Sequence, residues 1–336
     1  MDDHQPNGRE VSAELLAVVV ALVDGDPCVL ALGEPARLPA GPLMPGHHSL
    51  QAATRAWVEE QTGRALGYLE QLYTFVDLDG QPGDGQRLSV SYLGLTTPGT
   101  SPLPAAVAIP QVDRSNPLDP IASPHRVAES RQGIGVWQRI YDLLPWEDLR
   151  AGSRLPAAIA AALASWAEAD PELAEARRQR CATTFGLDGA AWQPDLVLQR
   201  YELMYEVGLV PESPAARRLP EPELAPGRRM LGDHRRVLAT GLARLRSKIQ
   251  YRPVVFELLP PEFTLRHLQD CVEALAGTGV HTQNFRRLVE QQQLVEETGG
   301  VDASTGGRPA RLYRFRSEVR QQRDVAGTKL ALPRVR

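Results

Sequence analysis

Two stretches of this 336-residue sequence place side chains where they could do chemistry. The first, GPLMPGHHSLQAATRAWVEEQTG at residues 41–63, sets Arg55, Glu59 and Glu60 at helical spacing behind Ser49, a good N-cap. Carboxylates on one helical face can hold Mg²⁺ against a diphosphate. The second, HTQNFRRLVEQQQ from residue 281, turns Phe285, Leu288 and Val289 to one side. That leaves His281, Thr282, Gln283, Asn284, Arg286 and Arg287 free near the N-terminal half. Asn and Gln pair bidentately with adenine, and Arg with guanine. His47 and His48 could ligate a metal, but no acid or cysteine at ligand spacing supports them, so a surface loop pair is the simpler reading.

The elements that position these residues follow from periodicity. Residues 15–23 and 28–32 are apolar, β-branched runs separated by Asp24-Gly25-Asp26-Pro27, which predicts a hairpin. A helix is expected over 49–62, with Leu50, Ala53 and Trp57 on its apolar face and Gly63 as its stop. Strands are expected at 68–76 and 87–95, the second alternating Leu88, Val90 and Tyr92. Strands around one helix make an α/β sandwich. Arg87, Tyr92 and Tyr73 are candidate ligand contacts beside Arg55, Glu59 and Glu60; Arg87 and Tyr92 read equally as an exposed strand pair. Residues 155–210 show helical spacing without chemistry, and 211–227, with five prolines, reads as a linker.

From residue 233 a long helix is expected to carry Val237, Leu238, Gly241, Leu242, Leu245 and Ile249 as one apolar stripe. Arg244 and Lys248 flank one edge, Arg235 and Arg246 the other, and Pro253 ends it. Thr264 caps a second helix, and the turn Gly277-Thr278-Gly279-Val280 leads to a third. A hairpin follows, from Leu294–Glu297 to Arg311–Arg316. This is a winged helix-turn-helix, with Arg308 and Arg311 at the wing placed for phosphate or minor groove, and Arg244 and Lys248 as further DNA contacts.

Composition agrees. Residues 1–227 hold 17 Lys and Arg against 30 Asp and Glu; residues 228–336 hold 20 against 11, so an overall net charge of −4 conceals a basic C-terminal third. Such segregation points to a polyanion partner, while a solvated basic face is the bland alternative. No apolar run reaches the ~18 residues of a membrane span. The polar, acidic start matches neither a signal nor a transit peptide. Three widely spaced cysteines argue against a disulfide framework or a cysteine zinc site, so a cytoplasmic chain without a required cofactor is expected.

Residues 41–63 resemble the Nudix box, G-x5-E-x7-R-E-U-x-E-E-x-G-U. Anchored on Gly41, the segment matches at Arg55, Glu59 and Glu60, with His47 and Ala56 replacing two acids. Anchored on Gly63, it puts Ala56, Trp57, Glu60 and Gln61 in the R-E and E-E places and His48 in the first. Either register leaves too few carboxylates for an ordinary metal site, so catalysis is not expected.

A degenerate box and a winged helix on one chain resemble the Nudix-related transcriptional regulators of NAD metabolism, most closely the branch found in alphaproteobacteria. The resemblance rests on RAWVEEQTGRALGYLEQLYTF with RLSVSYLGL, and on DHRRVLATGLARLRSKIQYRPVVFELLPPEFTL continuing through NFRRLVEQQQLVEETG to GGRPARLYRF. It implies a homodimeric repressor on a palindromic double-stranded DNA operator, released by an effector nucleotide such as ADP-ribose, NAD or ATP. The expected architecture is an α/β Nudix-like N-terminal domain (1–150), a helical insertion and linker (151–227) and a C-terminal winged helix-turn-helix domain (228–336). A Nudix hydrolase of ADP-ribose or another nucleoside diphosphate, or an adaptor touching neither DNA nor metal, are the competing readings.

Overall fold

The computed structural model describes residues 12–44, 49–77, 87–98, 135–152, 155–218, 227–251, 254–303 and 309–316. The polar pair His47-His48, the wing residue Arg308 and Pro253 lie outside them.

Strand β1 (Ser12–Val23) is the axis of the N-terminal sheet, as expected for a run that is apolar on both faces. It turns into β2 (Asp26–Ala31) through Asp24 and Gly25 alone, with φ of 51° and 83°. A two-residue turn needs left-handed backbone at both central positions, which Asp-Gly supplies. The hairpin is therefore tighter than the four-residue break expected, and Val23 already faces Asp26. The remaining strands are β3 (Ala40–Pro42), β4 (Tyr68–Asp77), β5 (Arg87–Leu95) and β6 (Val136–Arg139). Their order is β4-β5-β1-β2-β6, with β3 added beside β1. Among the described strands only β1 and β5 pair in parallel, from Ser12 opposite Arg87 to Val20 opposite Leu95.

Alternate residues of β1 serve opposite faces. Ala17 and Val19 pack with Leu30, Val58 and Leu66 under helix α1 (Leu50–Thr62). Val18 and Val20 join Leu93, Leu95 and the stripe of helix α6 (His234–Tyr251). Gly241 is where α6 comes closest: a Cβ there would meet Val18 Cγ1 at 2.8 Å. Helix α6, which opens the expected C-terminal domain, thus covers a face of the N-terminal sheet.

The apolar face of α1 is rotated from the one expected. Ala53, Thr54, Val58 and Thr62 are buried, while Leu50 and Trp57 are half-buried. The two threonines fit because their hydroxyls donate back to the carbonyls of Leu50 (2.8 Å) and Val58 (2.5 Å), leaving no orphaned polar atom.

Residues 140–218 form α2 (Ile140–Leu143) and the insertion helices α3 (Ala157–Glu168), α4 (Ala174–Phe185) and α5 (Val197–Val207). The C-terminal unit contains α7 (Leu265–Ala276), α8 (Thr282–Gln291) and a two-stranded wing, β7 (Val295–Asp302) with β8 (Ala310–Phe315). Phe263 joins the wing to the helices by exchanging backbone hydrogen bonds with Tyr313 at 3.0 and 2.8 Å.

Arg235 and Arg246 depart furthest from expectation. Instead of flanking the α6 stripe in solvent, both are fully buried. Other elements pack over that edge of α6 and bring carboxylates: Glu212 lies 3.4 Å from Arg235 and Glu147 lies 2.5 Å from Arg246.

Candidate effector and nucleic-acid sites

Helix α1 is fixed at both ends by its own sequence. Ser49 Oγ accepts from the Ala52 amide (3.1 Å), and Gly63, at φ 66°, closes the last turn. Val58 is 1% exposed and occupies the box's bulky apolar place when Gly63 is the anchor. The structure therefore selects that register.

The side chains standing in the acidic places bond to backbone. Trp57 Nε1 donates to the Pro42 carbonyl (3.0 Å), with its ring flat against Gly41, where a Cβ would lie 2.3 Å away. Gln61 donates to the Ala40 carbonyl (2.6 Å) and accepts from the Ala40 amide (3.2 Å). These two side chains tie β3 to α1. Among the described residues no three His, Cys, Asp or Glu stand together as metal ligands. Of the two carboxylates on α1, Glu59 and Glu60, only Glu60 falls in an acidic place of the box in this register.

Among the described side chains, the expected ligand residues have separate partners. Arg55 donates to the Leu66 carbonyl and to the Gly67 carbonyl (3.0 Å), fixing the chain between α1 and β4. Glu59 and Glu60 are exposed. Tyr73 is 59% exposed at a bulge in edge strand β4, where Ser91 Oγ donates to its carbonyl (2.9 Å) and accepts from its amide (3.2 Å). Tyr92 is a core residue, packed with Leu15, Ala53 and Val90, and burial raises its phenol. Arg87 begins β5.

A separate cleft of about 350 Å³ opens between the β2 end and β6, lined by Gly33, Glu34, Trp137, Arg139, Asp142 and Arg228 among others. None of the expected ligand residues lines it. Arg228 pairs with Glu34 and Arg139 with Asp26, both at 2.9 Å.

The helix-turn-helix is built as expected. Thr264 caps α7 through the His267 amide (3.1 Å) and Gly277, at φ 69°, ends it. Buried Gln269 donates to Glu273 (2.9 Å), to the Val280 carbonyl (3.1 Å) and to Thr282 Oγ1 (3.2 Å). Glu273 in turn accepts from the Val280 amide (2.9 Å), so the turn and the start of α8 are clamped together. Thr282 is half-buried in this clamp rather than free. Phe285 and Val289 anchor α8 to the core, and His281, Gln283, Asn284, Arg286 and Arg287 are exposed.

On the wing, Arg311 meets Glu297 and Arg314 meets Glu296, each at 2.7 Å and largely solvated. Exposed pairs of this kind exchange partners at little cost. Arg244 and Lys248 are differently placed: both bridge to Glu70 of β4, at 2.8 and 2.6 Å. Burial works to raise the Glu70 carboxyl, but Lys248, Tyr68 and Arg244 together hold it below the usual carboxylate range.

Sequence reasoning missed a buried polar cluster. Glu147 accepts from Arg200 Nε (2.6 Å) and Arg246 Nη1 (2.5 Å), and all three side chains are fully buried. Burial alone would raise the Glu147 carboxyl; the two guanidinium groups outweigh it and hold it low. An acid inside the apolar run LLPWEDL was the available signal.

Fold and site together define a Nudix-like α/β domain joined through a helical insertion to a winged helix-turn-helix. Residues 255–315 match the NrtR DNA-binding winged helix domain. The ADPR responsive transcriptional repressor NtrR of Acinetobacter baylyi is 40% identical over 83 residues, 25% of this chain and 33% of that protein. The match thus spans about a third of that relative's length. The crystal structure of Shewanella oneidensis NrtR complexed with a 27mer DNA aligns with a TM-score of 0.50 at 18% identity, covering 94% of this chain and 99% of that one. NrtR without DNA aligns with the same score at 19% identity and the same coverage. The chain is NrtR-like in fold over nearly its whole length, with an NrtR-type winged helix at its C-terminal end. No helix among the described residues is long and apolar enough to cross a membrane.

Proposed function

We propose that this chain is a DNA-binding transcriptional repressor of NAD synthesis or salvage genes, controlled by an NAD-related nucleotide such as ADP-ribose bound to a Nudix-like domain that does not hydrolyse it. The observation that carries this reading is the row Gln283, Asn284, Arg286 and Arg287, held in solvent by a helix whose other side is locked by Phe285 and Val289. The N-terminal half of such a helix meets base edges in the major groove. In this reading Arg311 on the wing, and Arg308 three residues before it in the sequence, contact phosphate or the minor groove. A palindromic operator takes two copies of the chain, so the reading includes a homodimer acting in the cytoplasm, where its DNA lies. The matched relative is named as a repressor responsive to ADPR, which supports that effector here. Trp57 and Gln61, bonded to Pro42 and Ala40 in the acidic places of the box, support the absence of hydrolysis.

In this reading Arg244 and Lys248 act at the contact between α6 and the sensor sheet, and DNA is read by α8 and the wing. The test is binding of the purified chain to promoter DNA of the NAD-synthesis genes of its own genome, titrated with ADP-ribose, NAD and ATP at fixed salt. Specific binding that falls steeply with salt is expected, weakened by one of the metabolites. Asn284→Ala and Arg287→Ala should each cost about 1–3 kcal/mol of operator affinity and relax sequence preference. Absence of specific binding, together with Mg²⁺-dependent turnover of ADP-ribose that Glu60→Gln abolishes, would establish the hydrolase reading instead.

A further inference from the structure

The C-terminal end of α7 is finished by the sensor side of the molecule. An α-helix leaves its last four carbonyls without helical partners. In α7, Glu273 O is taken by the Gly277 amide, but the next two carbonyls reach outside residues 255–315, the stretch that matches the winged helix domain. Tyr141 Oη donates to Ala274 O at 2.5 Å, and Arg246 Nε donates to Leu275 O at 2.9 Å. Beyond them, Gly277 O accepts from the Leu149 amide at 2.6 Å. The guanidinium of Arg246 also sits at the negative end of the α7 dipole, a favourable place for a cation.

The donors are themselves held. Arg246 Nη2 donates to the Glu147 carbonyl (3.0 Å) and to Tyr141 Oη (3.3 Å), while Glu147 binds Arg246 and Arg200 through its carboxylate. The fit allows no side chain at 277: a Cβ there would lie 2.1 Å from Glu147 O and 2.6 Å from Arg246 Nη2. Tyr141 and Glu147 follow directly on β6, the edge strand that lines the cleft with Asp142. A chain of ten residues therefore runs from the sensor sheet's edge to the turn before the recognition helix.

We infer that Tyr141, Glu147 and Arg246 are positioning residues for DNA reading: they set where the turn at 277–280, and with it α8, stands relative to the sensor sheet. A buried charged cluster is a costly way to gain stability, since apolar packing often does as well. Its geometry, with forked donors on named carbonyls, instead fixes an orientation. The inference rests on the DNA-binding reading for its consequence but not for its geometry.

The test uses the full chain. Glu147→Ala would leave two buried guanidinium groups without a counter-charge and is liable to unfold. Tyr141→Phe removes one hydroxyl and Arg246→Lys keeps the charge but loses the fork. Amide exchange is followed by mass spectrometry at residues 274–282 and, as reference, in β1 and β5. Tyr141→Phe removes the donor to Ala274 O, while Arg246 Nη2 keeps the Glu147 carbonyl, and is expected to speed exchange at 274–282 roughly fivefold, about one net buried hydrogen bond, with the strands unchanged. Arg246→Lys should give a larger effect at the same residues. Both variants should weaken operator binding at least threefold although every base-facing side chain remains. Unchanged exchange at 274–282, equal acceleration in β1 and β5, or faster local exchange with undiminished operator binding would each overturn the inference. Should the wild-type chain bind no DNA specifically, the functional reading fails, and the exchange result alone decides whether these residues position the turn.

Discussion

Gln61 holds Ala40 by both of that residue's backbone polar groups, at 2.6 and 3.2 Å, and so stands where a Nudix helix would present a carboxylate. A carboxylate could not make this contact. Glu at 61 would still accept from the Ala40 amide but would set an oxygen against the Ala40 carbonyl. Gln61→Glu should cost about 1 kcal/mol at pH 7, the low end of the range for an unsatisfied acceptor, because both residues are half-buried. Folding raises the pKa of such a carboxyl, so the defect should shrink below pH 5 as the new side chain gains a proton to donate. Urea denaturation of both proteins at pH 7.0 and 4.5 measures this. A variant as stable as wild type at pH 7 would mean that, of the two side chains tying β3 to α1, Trp57 suffices beside the backbone ladder to β1.

Gly241 makes the opposite kind of prediction to a surface helical glycine. Replacing a mid-helix glycine by alanine ordinarily gains about 1 kcal/mol from propensity. Here the added methyl would meet Val18 at 2.8–3.1 Å, in a core with no slack. Gly241→Ala should therefore destabilise by about 1–3 kcal/mol, the range for overpacking, read as a lower urea midpoint at constant m.

His234 provides a pH dependence with a defined sign. Its Nδ1 accepts from the Leu38 amide at 2.8 Å, which only the neutral ring can do. Burial, reinforced by Arg37, lowers its pKa to about 4 from 6.5. The folded state thus binds the proton less readily than the unfolded chain. The stability from this group is complete above pH 6.5 and is lost as pH falls toward 4, by at most about 3 kcal/mol. His234→Asn, whose Oδ1 can accept the same hydrogen bond, should flatten the wild-type decline in Tm between pH 6.5 and 5. An identical slope in the variant would place the pH sensitivity elsewhere.

What could be read from the sequence was local. Asp24-Gly25 specified the hairpin, Ser49 and Gly63 bounded α1, and Thr264 and Gly277 bounded α7 by cap chemistry that operates within a few residues. The α6 stripe and the inward face of α8 at Phe285 and Val289 followed from period alone. The face of α1 was misjudged because Trp57 looks apolar in a list of residues, yet its indole NH binds Pro42 and its ring covers Gly41, whereas Thr54 and Thr62 bury hydroxyls they satisfy themselves. Arg235 and Arg246 could be placed only on the edge of the α6 stripe, because their partners are set by tertiary structure: Glu147 lies 99 residues before Arg246. A longer separation, 174 residues, conceals Glu70 from Arg244, and from β4 Glu70 engages Lys248 as well. Periodicity can place a charge on the edge of a stripe, but it cannot say which other element will close over it.

Helix α6 lies on the sheet with Gly241 against Val18, while its Arg246 reaches the end of α7. One helix is thus a wall of the N-terminal sheet and a support of the winged helix, so the two halves are not interchangeable parts. A chimaera joined at residue 228 would graft a foreign wall onto this sheet, and a fragment beginning there would leave the α6 stripe uncovered in water. Recombination between relatives should succeed only at a junction beyond Tyr251, and then only where the incoming turn carries glycine in the place of Gly277.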